Sequence, residues 1–339
     1  MLKKTLLLAS MLMSITHVAL AADEERWFEV EVYIFERQGQ AFEQMDSNPA
    51  NINQRQSVDM ITPLFKTDIT GASLGLEGCT EQEWVDDAER CNHQLSSTQI
   101  SYPSTLPVSI GASDPQYAKE GESTVLLADS QAQFSEMINT LNREPGLKGL
   151  LHMTWQQSMQ PRNLATPVRL VAGHDFSEQY QQNGYPIDKQ AVSEIPQFSF
   201  NLGLGQSTIK KPLWQLDGAI NIYLDHYLYV ETALTLREEG SKTPTRFILA
   251  RDSDANSAPE PIPFLFKVWM AQNKRVISDE IHYLDHPNLG MILQIRKMVQ
   301  PNEMTPELLA ELQISDDQNA SKDKARVEEA RVEEAKVKP

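Results

Sequence analysis

Segments in which apolar and polar residues alternate with a period of two recur along this chain of 339 residues. In the first, at 27–35, Phe28, Val30, Val32 and Ile34 alternate with charged and aromatic residues. A period of two predicts β-strands with one face buried against a core. The pattern therefore restricts the chain to folds built from half-buried sheets.

The second half of the chain continues this pattern. Alternation at 220–224 and at 228–236, on either side of a short polar turn, predicts a β-hairpin. Further strands are predicted at 264–270 and 291–298. This half is therefore expected to be rich in β-structure.

One amphipathic helix is predicted in the first half. Its apolar residues follow the spacing i, i+3, i+4, i+7: Phe134, Met137, Ile138 and Leu141. Asp129 or Ser130 can cap it, and buried strands are predicted after it at 147–155 and 167–171. The expected fold class is α+β, mainly an antiparallel sheet, with a strand-helix-strand unit in the N-terminal half and a β-rich C-terminal half.

The N-terminus has the features of a cleavable signal peptide. Two lysines precede an apolar stretch at 6–15, and Ala19 and Ala21 mark a cleavage site. The stretch is shorter than the roughly 20 apolar residues that span a bilayer. We therefore expect residues 1–21 to be removed, and the mature chain to be periplasmic without inserting into a membrane.

The rest of the chain is expected to form a folded region and a tail. Residues 22–300 are predicted to be an α+β region, either one unit or two subdomains at about 22–195 and 196–300. A polar, turn-rich insertion is expected at about 38–105. Residues 301–339 predict a short helix and a charged, disordered tail, because their five-residue repeat produces no steady apolar stripe.

The charge balance of the mature chain excludes one class of partner. Removing the two signal-peptide lysines from the 30 basic residues leaves 28 against 47 acidic ones, a net charge of −19 (28 − 47). Nucleic acids and anionic membrane surfaces are bound mainly through basic patches. We therefore expect no nucleic-acid partner.

The two cysteines, Cys79 and Cys91, both follow the signal peptide. In an oxidising compartment an isolated pair favours a disulfide. A redox-active pair more often has the spacing Cys-x-x-Cys, and His93 is the one further metal ligand close by. The disulfide is therefore the preferred interpretation.

Two motifs of hydrolytic enzymes occur without the structural context that they require. Residues 71–75 match G-x-S-x-G but lie in the irregular insertion, where no strand and helix flank the serine. Residues 207–210 match S-x-x-K, but Pro212 prevents the helix on which that motif depends. We therefore predict no enzymatic activity, no catalytic residue and no cofactor.

A histidine-containing segment near the end of the folded region supports two hypotheses. On a helix, His282 and His286 would share a face and, with His226, could bind the metal of a periplasmic metal-dependent hydrolase. Pro287 stops such a helix. The preferred interpretation is a structural turn formed by His282, Asp285, His286 and Pro287, in which polar side chains satisfy backbone groups and no metal is bound.

Four segments that follow one another in the chain carry a family resemblance. They are residues 26–32 (RWFEVEV), residues 150–156 (LLHMTWQ), residues 216–218 with 227–230, and residues 282–287 with Leu289-Gly290 behind them. This layout is similar to the CsiV family of Gram-negative periplasmic proteins, over about residues 26 to 300. The resemblance implies a protein that binds peptidoglycan and promotes cell-wall synthesis together with the outer-membrane lipoprotein that activates a class A penicillin-binding protein.

The resemblance supplies no binding residues, so a ligand site must be sought in the charges. Peptidoglycan is anionic, and an acidic protein cannot bind it through its net charge. A local basic patch is therefore expected, with these candidates for ligand binding: Lys274, Arg275, Arg296 and Lys297. The chain departs from the family pattern at His226, where an arginine is expected.

Overall fold

The fold is seen in a computed structural model that describes residues 26–38, 56–68, 79–91, 100–187, 211–243 and 260–316, with 318 and 321. The predicted signal peptide, the motifs at 71–75 and 207–210 and most of the predicted tail lie outside the described residues. No helix in the described part of the chain is long and apolar enough to cross a membrane.

Strands dominate the described residues, and the predicted α+β class is confirmed. The strands are β1 (Arg26–Arg37), β2 (Thr67–Asp68), β3 (Ile100–Ser101), β4 (Ser109–Ile110), β5 (Thr124–Leu126), β6 (Leu147–Met159), β7 (Val168–Asp175), β8 (Trp214–Leu224), β9 (Leu228–Lys242), β10 (Ile262–Val276), β11 (Ile281–Asp285) and β12 (Leu289–Lys297). The α-helices are α1 (Thr62–Phe65), α2 (Glu81–Asp86), α3 (Ser135–Leu141) and two more over residues 88–91 and 306–316.

The first large sheet, sheet A, has β1 at its centre. Its order is β11-β12-β1-β6-β4, and β5 pairs with the same edge of the sheet through β6. β1 is antiparallel to both β12 and β6. The alternation that predicted β1 therefore places one set of its side chains in the core, with Val30, Val32 and Ile34 fully buried.

The second large sheet, sheet B, is an antiparallel meander in the order β10-β9-β8-β7. β8 and β9 form the predicted hairpin, with Leu224 paired with Leu228 next to the turn. Burial of the inward residues is nearly complete, as at Leu216 and Leu234. Each such side chain stabilises the fold by about 1.5–3 kcal/mol relative to an exposed one.

The two sheets share one hydrophobic core. A single cluster of buried side chains joins Val32 and Met153 of sheet A to Leu170 and Leu216 of sheet B. Sheet A itself combines β1 and β6 with β11 and β12 from the far end of the chain. A boundary at 195/196 therefore does not separate the two sheets.

Part of the predicted insertion packs onto this core. Ile61 is fully buried within the core cluster. Val58 bridges to Val168, and Asp59 forms an ion pair with Arg169 at 3.0 Å. Further along, Cys79 and Cys91 form the predicted disulfide.

The predicted start of helix α3 is wrong. Asp129 begins a short 3-10 helix over Asp129–Gln131, and its carboxylate accepts a hydrogen bond from Ser109 Oγ at 2.8 Å. The cap of α3 comes from sheet A instead, because Glu31 accepts from the backbone N–H groups of Gln133 and Phe134 at 2.9 Å and 2.7 Å. A carboxylate at a helix N-terminus satisfies free donors and the helix dipole together.

Candidate functional site

A cleft of about 540 Å³ opens where the ends of the two sheets meet. We call it the end cleft. Sheet A contributes the end of β1 and the start of β6, and sheet B contributes parts of β7, β8 and β9. Charged residues of both signs line it: Glu36, Glu238 and Glu239 against Arg37, Lys148 and Arg237. The remaining lining residues are Gln38, His174, Phe176 and Gln215.

A bulge in β7 shapes one wall of the end cleft. The register between β7 and β8 shifts between Ala172 and Asp175, and Gly173 has a φ of +77°. A Cβ atom at Gly173 would lie 2.5 Å from Oε1 of Gln215. Glycine is therefore needed here, both for the backbone conformation and to leave room for the Gln215 side chain.

Gln215 connects the two sheets across the end cleft. Its Nε2 donates to Oε2 of Glu36 at 3.0 Å, and its Oε1 accepts from the backbone N–H of His174 at 3.4 Å. The same Glu36 oxygen lies 3.8 Å from Nζ of Lys148. These contacts position the Glu36 carboxylate, and they leave the ammonium group of Lys148 only loosely bound.

Glu238 is the most unusual residue of the end cleft. Burial raises its pKa to about 7, and the negative charge of the neighbouring Glu36 carboxylate contributes to the increase. The side-chain amide of Asn288 interacts with this carboxylate and opposes part of the increase, and Oε1 is buried without a hydrogen bond of regular geometry. At neutral pH this carboxyl group therefore exchanges between its protonated and ionised forms.

Two polar atoms in the lining of the end cleft are buried without a regular hydrogen bond. They are Glu238 Oε1 and Arg237 Nε, two of the eight such side-chain atoms within the described residues. A buried polar atom without a partner costs about 1–3 kcal/mol. A polar ligand in the cleft can recover part of this cost.

The alternation of the sequence contained a signal for two of these residues. Glu238 follows Leu234 and Leu236 at the inward spacing of β9, and Glu36 follows Val32 and Ile34 at that of β1. A carboxylate at an inward position is costly unless it has a role or a partner. Glu36 and Glu238 could therefore have been identified from the sequence, although they were not among the predicted site residues.

The histidine-containing segment lies beside the end cleft, and it forms more regular structure than predicted. Residues 281–285 are strand β11, and the turn is confined to the residues that follow. There His286 Nδ1 accepts from the backbone N–H of Asn288 at 3.3 Å. Asp285 forms an ion pair with Arg37 at 2.9 Å, and thereby connects this segment to the cleft.

The described residues contain no arrangement of side chains that supports the hypothesis of a metal centre. His282 lies on β11, where its Nε2 is 3.0 Å from both the backbone N and O of Ile277. His226 lies in the turn of the β8–β9 hairpin. Within the described ranges, no group of three or more His, Cys, Asp or Glu side chains is placed to hold a metal ion.

Arg296, which was predicted to bind a ligand, forms ion pairs within the protein instead. It is 7% exposed, and its guanidinium group binds Glu29 at 2.5 Å and Glu31 at 2.6 Å. Two carboxylates in sheet A therefore hold the charge of this arginine inside the protein. It is not available to a ligand.

The other three predicted binding residues each have a partner at the surface. Lys297 forms an exposed ion pair with Asp279 at 3.3 Å. Lys274 donates to the backbone oxygen of Tyr283 at 3.1 Å. The guanidinium carbon of Arg275 lies 3.4 Å from the centre of the Tyr227 ring. Lys274 and Arg275 lie on sheet B, whereas Arg296 and Lys297 lie on sheet A.

The fold is an α+β sandwich with a charged cleft at one end of its sheets. The chain belongs to the CsiV family, described as peptidoglycan-binding proteins, whose family model matches residues 3–298. That match ends just after β12 and so includes both sheets. Neither curated proteins nor solved structures give a significant match to the chain.

Proposed function

We propose that this protein binds peptidoglycan in the periplasm, and that the end cleft is its binding site. The family supports the ligand. The observation that carries the location is a charged cavity between the ends of the two sheets, whose lining includes two buried polar atoms without a regular hydrogen bond, Glu238 Oε1 and Arg237 Nε. In this proposal the protein is a non-enzymatic factor of cell-wall synthesis.

The proposed protein partner is the outer-membrane lipoprotein that activates a class A penicillin-binding protein. This part of the proposal follows from the resemblance of the sequence to the CsiV family. Purified mature protein and purified lipoprotein, mixed and separated by size, test it directly. Co-elution supports the partnership, and separate elution at micromolar concentrations contradicts it.

The end cleft suits peptidoglycan better than the net charge of the chain suggests. Arg37, Lys148 and Arg237 bring three cationic groups to one cavity in a strongly acidic protein. Local charges of this kind act over about 8–10 Å at physiological salt. Because three carboxyl groups line the same cavity, its charges nearly balance, and a polymer that carries both negative and positive groups can be bound there although the rest of the surface is acidic.

Sedimentation of the mature protein with purified sacculi tests wall binding. We expect the protein in the pellet at low salt, and its complete recovery in the supernatant contradicts the proposed function. The variant Lys148→Ser tests the location, because the Lys148 side chain is 53% exposed and its loss is compatible with folding. We expect the pelleted fraction to fall severalfold.

Two further variants complete this experiment. Lys119→Ser removes an equal charge at an exposed position outside the end cleft, and it should leave sedimentation unchanged. The double variant Lys274→Ser/Arg275→Ser tests the exposed basic pair on β10 that the sequence analysis favoured. If the double variant abolishes binding and Lys148→Ser does not, the site lies on β10 and not in the end cleft.

A further inference from the structure

The charges of the end cleft also indicate which part of peptidoglycan it takes. Three carboxyl groups and three cationic groups face one cavity. A ligand that matches this lining carries a positive and a negative group at the same time. In peptidoglycan the stem peptide carries both, on its diamino acid and its carboxyl end, whereas the N-acetylated glycan strand carries neither.

Among the described residues, the lining of the end cleft offers no exposed aromatic ring, which is the feature that a sugar-binding surface would use. Sugars commonly pack their C–H faces on an exposed aromatic ring. The one aromatic residue in the lining, Phe176, is only 6% exposed. Its ring contacts His174 and Tyr180 edge to face, at centroid distances of 4.9 Å and 6.1 Å. The ring therefore belongs to the protein interior and not to a platform for sugars.

We propose that the end cleft binds the stem peptide of peptidoglycan, with a free ammonium group of the peptide facing Glu36 and Glu238 and a carboxylate of the peptide facing Lys148 and Arg237. This inference rests on the proposed function. It adds that the protein recognises the peptide and not the glycan.

The acidic side of the cleft is prepared for an ammonium group. Glu238 Oε1 is buried, and among the described residues its carboxylate interacts with the neutral amide of Asn288 and forms no ion pair. Glu36 accepts one hydrogen bond from Gln215, and its ion pair with Lys148 is long, at 3.8 Å. An ammonium group has three N–H donors and no acceptor. It can therefore bind both carboxylates and relieve their mutual repulsion.

The basic side can receive a carboxylate. Arg237 is 9% exposed, its NH1 donates to the backbone oxygen of Trp214 at 2.5 Å, its NH2 lies 3.8 Å from Oδ2 of Asp217 in a long ion pair, and its Nε has no hydrogen-bond partner. Lys148 is exposed to the cleft and only loosely paired. Charge-assisted hydrogen bonds from such groups are about twice as strong as neutral ones.

Binding of an ammonium group is linked to the ionisation of Glu238. Its pKa is about 7, so below that pH the ligand must first displace a proton. Affinity then falls as the pH is lowered, by up to about tenfold per pH unit, and binding near neutral pH releases a proton. The other charged or titratable groups that face the cleft are Glu36, Arg37, Lys148, His174, Arg237 and Glu239.

Calorimetry with three probes tests the inference on the full mature protein. The probes are a stem tetrapeptide whose diamino acid has a free amine, the same peptide with its amines acetylated, and the tetrasaccharide of N-acetylglucosamine. We expect the free peptide to bind, acetylation to weaken binding at least tenfold, and the tetrasaccharide not to bind. Affinity for the free peptide should be at least fivefold weaker at pH 6 than at pH 8.

The variant Glu238→Gln isolates the acidic group with little change of shape. We expect at least tenfold weaker binding of the free peptide and no pH dependence between 6 and 8, which also separates Glu238 from His174. Glu120→Gln, an exposed carboxylate outside the cleft, is the matched control and should bind as the parent does. If Glu238→Gln does not fold, Lys148→Ser gives the corresponding test of the basic side.

The possible failures are distinguishable. If the protein sediments with sacculi but binds the tetrasaccharide and not the free peptide, the inference is overturned and the proposed function stands. Equal affinity for the free and acetylated peptides also overturns it. If the protein does not sediment with sacculi at all, the proposed function itself fails.

Discussion

Glu31 shows how a single buried charge can organise a sheet and a helix together. It is fully buried, and it accepts hydrogen bonds from His152 at 2.9 Å and Arg296 at 2.6 Å as well as from the two backbone N–H groups before α3. Burial alone would raise its pKa, but the bonds from His152 and Arg296 and the attraction of the guanidinium group hold the pKa below its ordinary value. The carboxylate is therefore ionised at neutral pH.

The variant Glu31→Gln should lower the free energy of unfolding by about 3 kcal/mol at pH 7, because it leaves a buried cation with only one carboxylate. Glu29→Gln is the matched control and should cost less stability, since Glu29 is 17% exposed and Glu31 still binds Arg296.

The depressed pKa of Glu31 stabilises the fold above about pH 4.5, and this stabilisation is lost as the pH falls through the pKa of the folded state. Urea unfolding of the parent and both variants should therefore converge on acidification. Equal losses for the two variants would contradict the central position of Glu31.

Individual strands and the hairpin could be predicted from the sequence, because they depend on residues that are close together in the chain. The alternation of β1 and of the β8–β9 hairpin was sufficient, because burial of one face decides both strands and their register. The start of α3 could not be predicted in this way. Its cap, Glu31, lies 102 residues away from Gln133 in sequence and reaches it only in the folded sheet.

The candidate site could also be predicted only in part, because it depends on contacts between residues that are far apart in sequence. Glu36 and Glu238 stand at inward positions that the sequence reveals, but their meeting depends on how the ends of two sheets pack. Arg296 and Lys297 were both predicted to bind a ligand, but neighbouring side chains on a strand point to opposite faces, and only Lys297 is exposed. The disulfide was predictable because the chain has only one pair of cysteines.

The turn between β11 and β12 provides a test at this scale. The variant His286→Ala removes the acceptor of the Asn288 N–H and should cost about 0.5–1.5 kcal/mol, the usual contribution of one hydrogen bond. His286→Asn is the control, because an asparagine oxygen can accept the same bond in an Asx turn and should retain most of the stability. Thermal unfolding measures both. If His286→Ala melts as the parent does but loses sacculus binding, His286 contacts the ligand and its role in the turn is secondary.

The complete fold depends on a pairing between strands from the two ends of the folded region. β1, which begins the described chain, pairs with β12, which nearly ends it, from Phe28 with Lys297 to Glu36 with Leu289. The central strand of sheet A is therefore complete only when the C-terminal part of the folded region is present. Pairings between such distant segments slow folding, because the loop-closure entropy is lost before the contact forms.

The C-terminal helix over residues 306–316 lies outside this closure, so its end should contribute little to stability. Truncation after Ile314 removes the charged repeat together with the hydrogen bond that Tyr117 Oη donates to Asp316 at 2.5 Å. One such bond contributes about 1 kcal/mol, which corresponds to a shift in Tm of about 2–4 °C for a protein of this size. The full-length variant Asp316→Ala should show the same shift, and a calorimetric scan of both compares them directly. A truncated protein that melts more than about 5 °C below Asp316→Ala would mean that residues beyond the helix pack against the sandwich.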